Sequence, residues 1–214
     1  MPELHIALAL TPQSALSVGA AGSAGTRADK SIVRDGLGRP LIPGSHVKGK
    51  LRWAAEQLLR ALNHDVPAPF DATVEQSGLI RAVFGSPVSP SPLRFAGLAA
   101  DVRPQLARLP GAAPVRPSVA LNRRRGTAED QRLLLQELAP HGLIFRADPA
   151  IEGRLDSLAH AALLWAALRL TERWGGGKSR GLGWCAVSAE FRWDGVALGE
   201  LELASALRSL SEQQ

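Results

Sequence analysis

Hydrophobic periodicity arranges the chain as strand, helix, strand, arm, strand, helix, strand, the β-α-β-β-α-β order of a ferredoxin-like α+β domain. Three observations carry that expectation: an alternating strand near the N-terminus, two amphipathic helical stretches, and a Pro- and Arg-rich excursion that interrupts the strands between them. A four-stranded sheet covered on one face by two helices follows. With 214 residues, 45 % hydrophobic and 21 % charged, the chain fits a single domain over 1–214 that buries its own core.

Leu4, Ile6, Leu8 and Leu10 alternate with His5, Ala7 and Ala9, so residues 4–10 form a half-buried strand. From Thr11 to Pro43 runs a long loop containing Gly19, Gly22, Gly25, Gly36 and Gly38. A loop of that length inside a compact domain is usually functional or mobile. Within it, Ser31–Val33 adds a short strand closed by an Asp35-Gly36 turn. Ser45 is a good N-cap for a helix to about Leu62. In that helix Val47, Leu51, Ala54, Leu58 and Leu62 make an apolar stripe, with Lys48, Arg52, Glu56 and Arg60 as a charged face opposite.

A second helical stretch near 72–84 ends at Phe84-Gly85, and Leu93 to Val102 reads as a strand. Residues 103–128 hold Pro104, Pro110, Pro114 and Pro117 with Arg103, Arg108, Arg116, Arg123, Arg124 and Arg125, an excursion from the core in the form of a hairpin or arm. Leu143 to Ala147 is a short strand. Leu155 to about Trp174 is the strongest helix, with Leu158, Ala162, Trp165 and Leu168 on one face. A strand from Trp184 to Trp193 completes the set, and its flanking tryptophans suit a core or base stacking.

Charge points to the partner. Basic groups number 25 against 20 acidic, and only Lys30, Lys48, Lys50 and Lys178 are lysines, so arginine dominates. Arginine forks onto phosphate, stacks on bases and stays charged. Residues 1–128 carry 16 basic and 8 acidic groups, whereas 129–214 carry 9 and 12. A polyanion is therefore the first partner to consider. The single Cys185 excludes an internal disulfide and a zinc site built from cysteines. No apolar run reaches the roughly 20 residues of a membrane span, and no signal-peptide pattern opens the chain. A cytoplasmic protein with no membrane partner is expected.

Two glycine-rich elements frame lysines. Gly44-Ser45-His46-Val47-Lys48-Gly49-Lys50 fits G-x-x-x-x-G-K, but Leu51 stands where a P-loop needs Ser or Thr. Gly177-Lys178-Ser179 has Glu172 in place of the first glycine and lies between a helix and a strand, the reverse of P-loop order. Both still suit phosphate. The first sets Ser45, Lys48 and Lys50 at a helix start, which favours anions. The second sets Lys178, Ser179 and Arg180 among glycines that include Gly181, a backbone groove for a phosphate chain. A plain helix start and a plain connector are the alternatives. Gly49 weakens its helix by about 1 kcal/mol relative to Ala, a cost that close approach of a ligand to the backbone would justify.

The run Asp29-Lys30-Ser31-Ile32-Val33-Arg34-Asp35, followed by Gly38-Arg39-Pro40-Leu41-Ile42-Pro43-Gly44-Ser45-His46-Val47-Lys48-Gly49-Lys50-Leu51-Arg52, resembles the signature D-x-x-G-x-P-x-I-P-G-S-S-L-K-G-x-L-R of the RAMP superfamily of CRISPR systems. Phe84-Gly85 falls where that family has F-G, Arg116 to Phe145 resembles its thumb and the strand after it, and Gly176 to Gly183 resembles its C-terminal glycine-rich loop. His46 and Val47 depart from the usual Ser and Leu.

Size and organisation are most similar to the backbone subunits of type III effector complexes. The resemblance implies an RRM-like palm with a thumb inserted at about 103–142. It implies guide RNA and single-stranded target RNA as partners, beside other effector subunits or further copies of the chain. Gly44, Ser45, His46, Lys48, Gly49, Lys50, Arg52, Gly177, Lys178, Ser179, Arg180 and Gly181 would line the guide, and Arg123, Arg124 and Arg125 would meet the duplex. In cleaving members an Asp after the first strand is required for cutting target RNA, and Asp29 holds that place. A lone Asp is a poor base at neutral pH. It would instead position Mg²⁺ or another divalent cation, none being tightly bound, or orient a 2′-hydroxyl. Alternatives are a non-catalytic scaffold or cap on the guide, and a metal-independent repeat-processing endoribonuclease using His46.

Overall fold

β1 (Glu3–Pro12) is the central strand of an antiparallel sheet, and its alternation is carried out in full: Leu4, Ile6, Leu8 and Leu10 are buried. The structure, a computed structural model, describes residues 1–20, 28–66, 78–101, 114–139 and 142–211. β1 pairs with β8 (Cys185–Trp193) in unbroken register from Leu4↔Trp193 to Pro12↔Cys185, and with β7 (Ile144–Arg154) across an irregularity between Ile6 and Leu8. β4 (Leu98–Asp101) pairs with β7, and β2 (Leu41–Ile42) closes that edge. β9 (Val196–Ala197) pairs with the end of β8. The strands matching the fourth, first, third and second of the predicted order therefore lie side by side, and the ferredoxin-like palm is as expected.

The single strand read from Leu93 to Val102 is two. β3 (Leu93–Phe95) and β4 pair with different stretches of β7, separated at Ala96-Gly97. The break lets the start of α1 (Gly44–Ala61) approach: a Cβ on Gly44 would lie 2.0 Å from the Phe95 carbonyl oxygen. Packing thus dictates this glycine. Pro43, not Ser45, is the N-cap of α1, and no side chain caps it. Ser45 instead lies inside the first turn.

The charged row of α1 is not a solvated face either. Glu56 is buried, held at 2.9 Å by Arg52 Nε and at 3.6 Å by Arg60. Val47, Leu51, Ala54, Ala55 and Leu59 point into the core. Each fully buried Leu there contributes about 1.5–3 kcal/mol.

α2 (Leu79–Phe84) is the described part of the helix expected over 72–84; residues 72–77 lie outside the described residues. α3 (Leu158–Leu170) is shorter than expected, starting from Ser157, whose hydroxyl oxygen accepts the Ala159 N–H at 3.2 Å. It is buried on most sides, because α1 packs along one flank and α4 (Glu200–Ser211) along another. α4 and β9 have no counterpart in the predicted order. The strand expected at Leu143–Ala147 continues to Arg154. Residues 31–33 form only an isolated bridge, Gly19↔Ile32, while the Asp35 turn is present: Asp35 Oδ1 accepts the N–H groups of Leu37 and Arg39, each at 2.9 Å. Among the described residues no helix is long and apolar enough to cross a membrane.

The excursion is a hairpin. β5 (Val115–Asn122) and β6 (Thr127–Glu137) form a separate two-stranded sheet turning through Arg123–Gly126. Gly126, at φ 68°, occupies the left-handed region such a turn requires. Residues 102–113 and 140–141 of the expected thumb, with Arg103 and Arg108, lie outside the described residues, as do Gly22 and Gly25.

Candidate nucleic-acid interface

Both glycine elements come together, and His46 joins them. Gly175 donates its N–H to His46 Nε2 at 3.0 Å, and the imidazole lies against the buried Trp174, ring centroids 6.3 Å apart. Burial first, then Lys50 and Lys178, push the imidazole down to about 4, so it is neutral at pH 7 and free to accept. The substitution for Ser in the signature thus serves as a fastener between α1 and the glycine-rich loop.

The loop itself divides into framework and rim. A Cβ on Gly175 would lie 2.4 Å from the Ser17 carbonyl oxygen, and one on Gly183 would lie 1.9 Å from that of Trp174, so the fold requires these two glycines. Between them a 3-10 turn, Lys178–Arg180, is bracketed by Gly177 and Gly181, both left-handed at φ 69° and 78°. Lys178, Ser179, Arg180 and Gly181 are exposed on it. No atom stands within 4 Å of a Cβ placed on Gly181.

Lys50 and Lys178 meet where α1 faces this turn. Burial, then the Lys178 amine beside it, lowers Lys50 to about 8. Glu172 lines the same cleft of about 140 Å³ with Trp53, Leu170, Thr171 and Arg173, yet neither lysine forms an ion pair among the described residues. Three cations, Lys50, Arg173 and Lys178, line this cleft against the one Glu172 carboxylate, a balance that favours an anion.

Gly49 sits one residue before Lys50, exposed and in regular helix. A Cβ there would meet nothing within 4 Å, so nothing in the fold demands glycine. Lys48 turns to the other flank, its Nζ 5.8 Å from the Phe95 ring centroid and its affinity for a proton lowered by burial and then by Arg52. Arg52 is committed to Glu56. The structure therefore gathers Gly49, Lys50 and Lys178 with the rim of the loop, and leaves Lys48 and Arg52 to one side.

Sequence reasoning missed Arg173 and Arg116. Arg173 stacks 3.9 Å over the Trp184 ring and donates to the Lys178 carbonyl at 3.0 Å, bracing the turn. Arg116, at the hairpin root, donates to the Arg180 carbonyl at 3.3 Å. Arg173 carries no signal beyond arginine abundance; Arg116 stands within the expected excursion, but nothing in its neighbours marks it as a brace for the loop.

Asp29 belongs to the hairpin root. Its N–H donates to the Leu135 carbonyl at 2.8 Å, and its Oδ2 accepts the Leu135 N–H at 2.7 Å. Lys30 bridges Gln136, and Glu137 receives Ile32 N–H at 3.0 Å and Arg34 at 2.5 Å. Arg123, Arg124 and Arg125 lie exposed at the far tip, where Asn122 Oδ1 accepts the N–H groups of Arg124 and Arg125.

No group of three or more metal-binding side chains occurs among the described residues. A single exposed carboxylate such as Asp29 supplies one hard oxygen donor of the kind Mg²⁺ takes. A family model described as the RAMP superfamily matches residues 4–186. None of the curated proteins matches the chain.

Proposed function

The chain belongs to the RAMP superfamily, a membership that carries a CRISPR-associated RNA-binding role, and on that premise we propose that it is a guide-RNA-binding backbone subunit of a type III RNA-targeting effector complex. The observation that carries this reading is the meeting of Lys50 and Lys178 beside the uncovered backbone of Gly49. A polyphosphate strand answers both features: it offers negative charge to both lysines and it can approach a helix that lacks a side chain at that point. The arginine-tipped hairpin, standing apart from the palm, supports a contact with the guide–target duplex.

Cleavage of target RNA rests on Asp29. Its backbone and carboxylate bonds to Leu135 hold it at the junction of hairpin and palm. There it would hold a divalent cation with phosphate oxygens of the RNA, which lowers the cost of charge at a scissile phosphate. Asp29 itself would orient that phosphate and the neighbouring 2′-hydroxyl for in-line attack.

A second reading, a non-catalytic scaffold on the guide, is favoured by the same hydrogen bond, because a carboxylate that fastens a hairpin already has a structural task. The engaged lone pair and lowered proton affinity of His46 weigh against its acting as the base of a repeat-processing enzyme.

The test is co-purification of the chain with its RNA, followed by sequencing. Repeat-derived guides support the reading, and unrelated cellular RNA overturns it. Target cleavage by the reconstituted complex with Mg²⁺ then separates the catalytic from the scaffold form.

A further inference from the structure

Trp53 is 59 % exposed although the positions after it in α1, Ala54 and Ala55, are buried. An indole left in water gives the fold almost nothing, since its stabilising power lies in the area it removes from solvent. The exposure has a pattern. Ser45, Gly49, Trp53 and Gln57 are all exposed and recur every fourth residue, so they form one ridge along α1, each step about 6 Å at 1.5 Å per residue. Lys48 and Arg52 flank it on one side, Lys50 on the other. Trp53 forms one wall of the cleft shared with Lys50, Arg173 and Lys178, and Lys178 Nζ lies 5.6 Å from its ring centroid.

Cationic side chains beside an exposed aromatic face are the two components by which proteins hold single strands without reading their sequence. We propose that Trp53 is a stacking platform for one base of the bound RNA strand, the phosphate of the same nucleotide lying between Lys50 and Lys178. This rests on the RNA-binding reading of the Gly49 and Lys50 site and adds a base subsite to it. The ridge sets the path: a strand crossing the open backbone at Gly49 reaches Trp53 one helical turn later. Because every base has a flat face, the subsite accepts any of them, as suits a protein whose RNA sequence is chosen by pairing and not by side chains.

The test measures binding of a short mixed-sequence single-stranded RNA to the wild-type chain, to Trp53→Ala, Trp53→Phe and Lys50→Ala, over a salt series. Trp53→Ala is expected to weaken binding about tenfold with the salt slope unchanged, and Trp53→Phe to recover most of it. Lys50→Ala is expected to lower the slope by about 0.7. A single abasic ribose walked along the RNA should weaken wild-type binding at the position over Trp53 and cost the Trp53→Ala variant nothing further there. Thermal melting of the variants checks that the fold is kept. If Trp53→Ala binds RNA as tightly as wild type, or fails only in association with other protein subunits, Trp53 is not a base platform. If the wild-type chain binds no RNA, the RNA-binding reading itself fails, and the platform with it.

Discussion

His46 Nε2 and the Gly175 N–H, 3.0 Å apart, tie the first turn of α1 to the glycine-rich loop. The bond is one of the ties that set Lys50 opposite Lys178, beside Gly176 N–H to the Ser17 carbonyl and Arg173 to the Lys178 carbonyl. Because the folded state holds the imidazole near 4 while an unfolded His titrates near 6.5, its contribution is complete above about pH 6.5 and is lost as pH falls toward 4. Wild type should therefore lose stability more steeply over that window than His46→Gln, whose side-chain carbonyl still accepts a hydrogen bond without titrating. Denaturant melts at pH 7, 6, 5 and 4 measure the difference; parallel curves would remove His46 from this role.

Gly49→Ala should separate folding from binding. A methyl group meets no neighbour there and glycine is a poor helix residue, so the free protein should gain about 0.5–1 kcal/mol. RNA affinity should fall at the same time. A variant that is both more stable and an undiminished binder shows that no ligand approaches this turn.

Lys178→Gln carries an opposite pair of signs. Lys50 is lowered from 10.5 to about 8 by burial and by Lys178, so their repulsion costs stability below about pH 8 and is relieved as pH rises toward 10.5. Removing Lys178 should stabilise the free chain at neutral pH and raise the Lys50 titration, visible by NMR of the labelled amine. The salt slope of single-stranded RNA binding should drop by about 0.7. An unmoved Lys50 titration would place the two amines too far apart to share a phosphate.

Asp29→Asn tests chemistry without dismantling the hairpin root. An amide oxygen can still accept the Leu135 N–H, so stability should stay within about 0.5 kcal/mol of wild type, whereas Asp29→Ala should lose about 1 kcal/mol with the bond. Target cleavage by the assembled complex should vanish in both. Full-rate cleavage by the Asn variant would leave Asp29 as a fastener only.

The palm was legible because its signals are periodic. The alternation of Leu4 to Leu10 and the stripe from Val47 survive any choice of partner, and they fix which face is buried. The errors share a different cause. Ser45 has the chemistry of a cap, but Pro43 takes the position because Gly44 must lie against the Phe95 carbonyl, a contact that periodicity does not encode. Glu56 looks like one member of a charged row, yet Arg52 and Arg60 carry it into the interior. Leu203, Leu207 and Leu210 do carry a helical spacing, but the β-α-β-β-α-β order is complete at Trp193 and holds no place for α4. At the site, glycine and lysine positions were readable. Their sorting was not, because it depends on which chain segment stands opposite each Cβ.

Asp29 is fastened at the base of a lever-shaped hairpin. The β5 partners of Thr127 and Leu135, Asn122 and Pro117, are five residues and about 17 Å apart at 3.4 Å per residue, β6 bulging between Ala128 and Leu133, and Asp29 is bonded to both backbone groups of Leu135 near the hairpin's fulcrum. Any swing of the arginine tip would reach the carboxylate geared down, as the base of a lever moves less than its end. In-line geometry is sensitive on that smaller scale. If Asp29 serves the proposed cleavage, the seating of the tip would tune its aim from almost the whole length of the hairpin away.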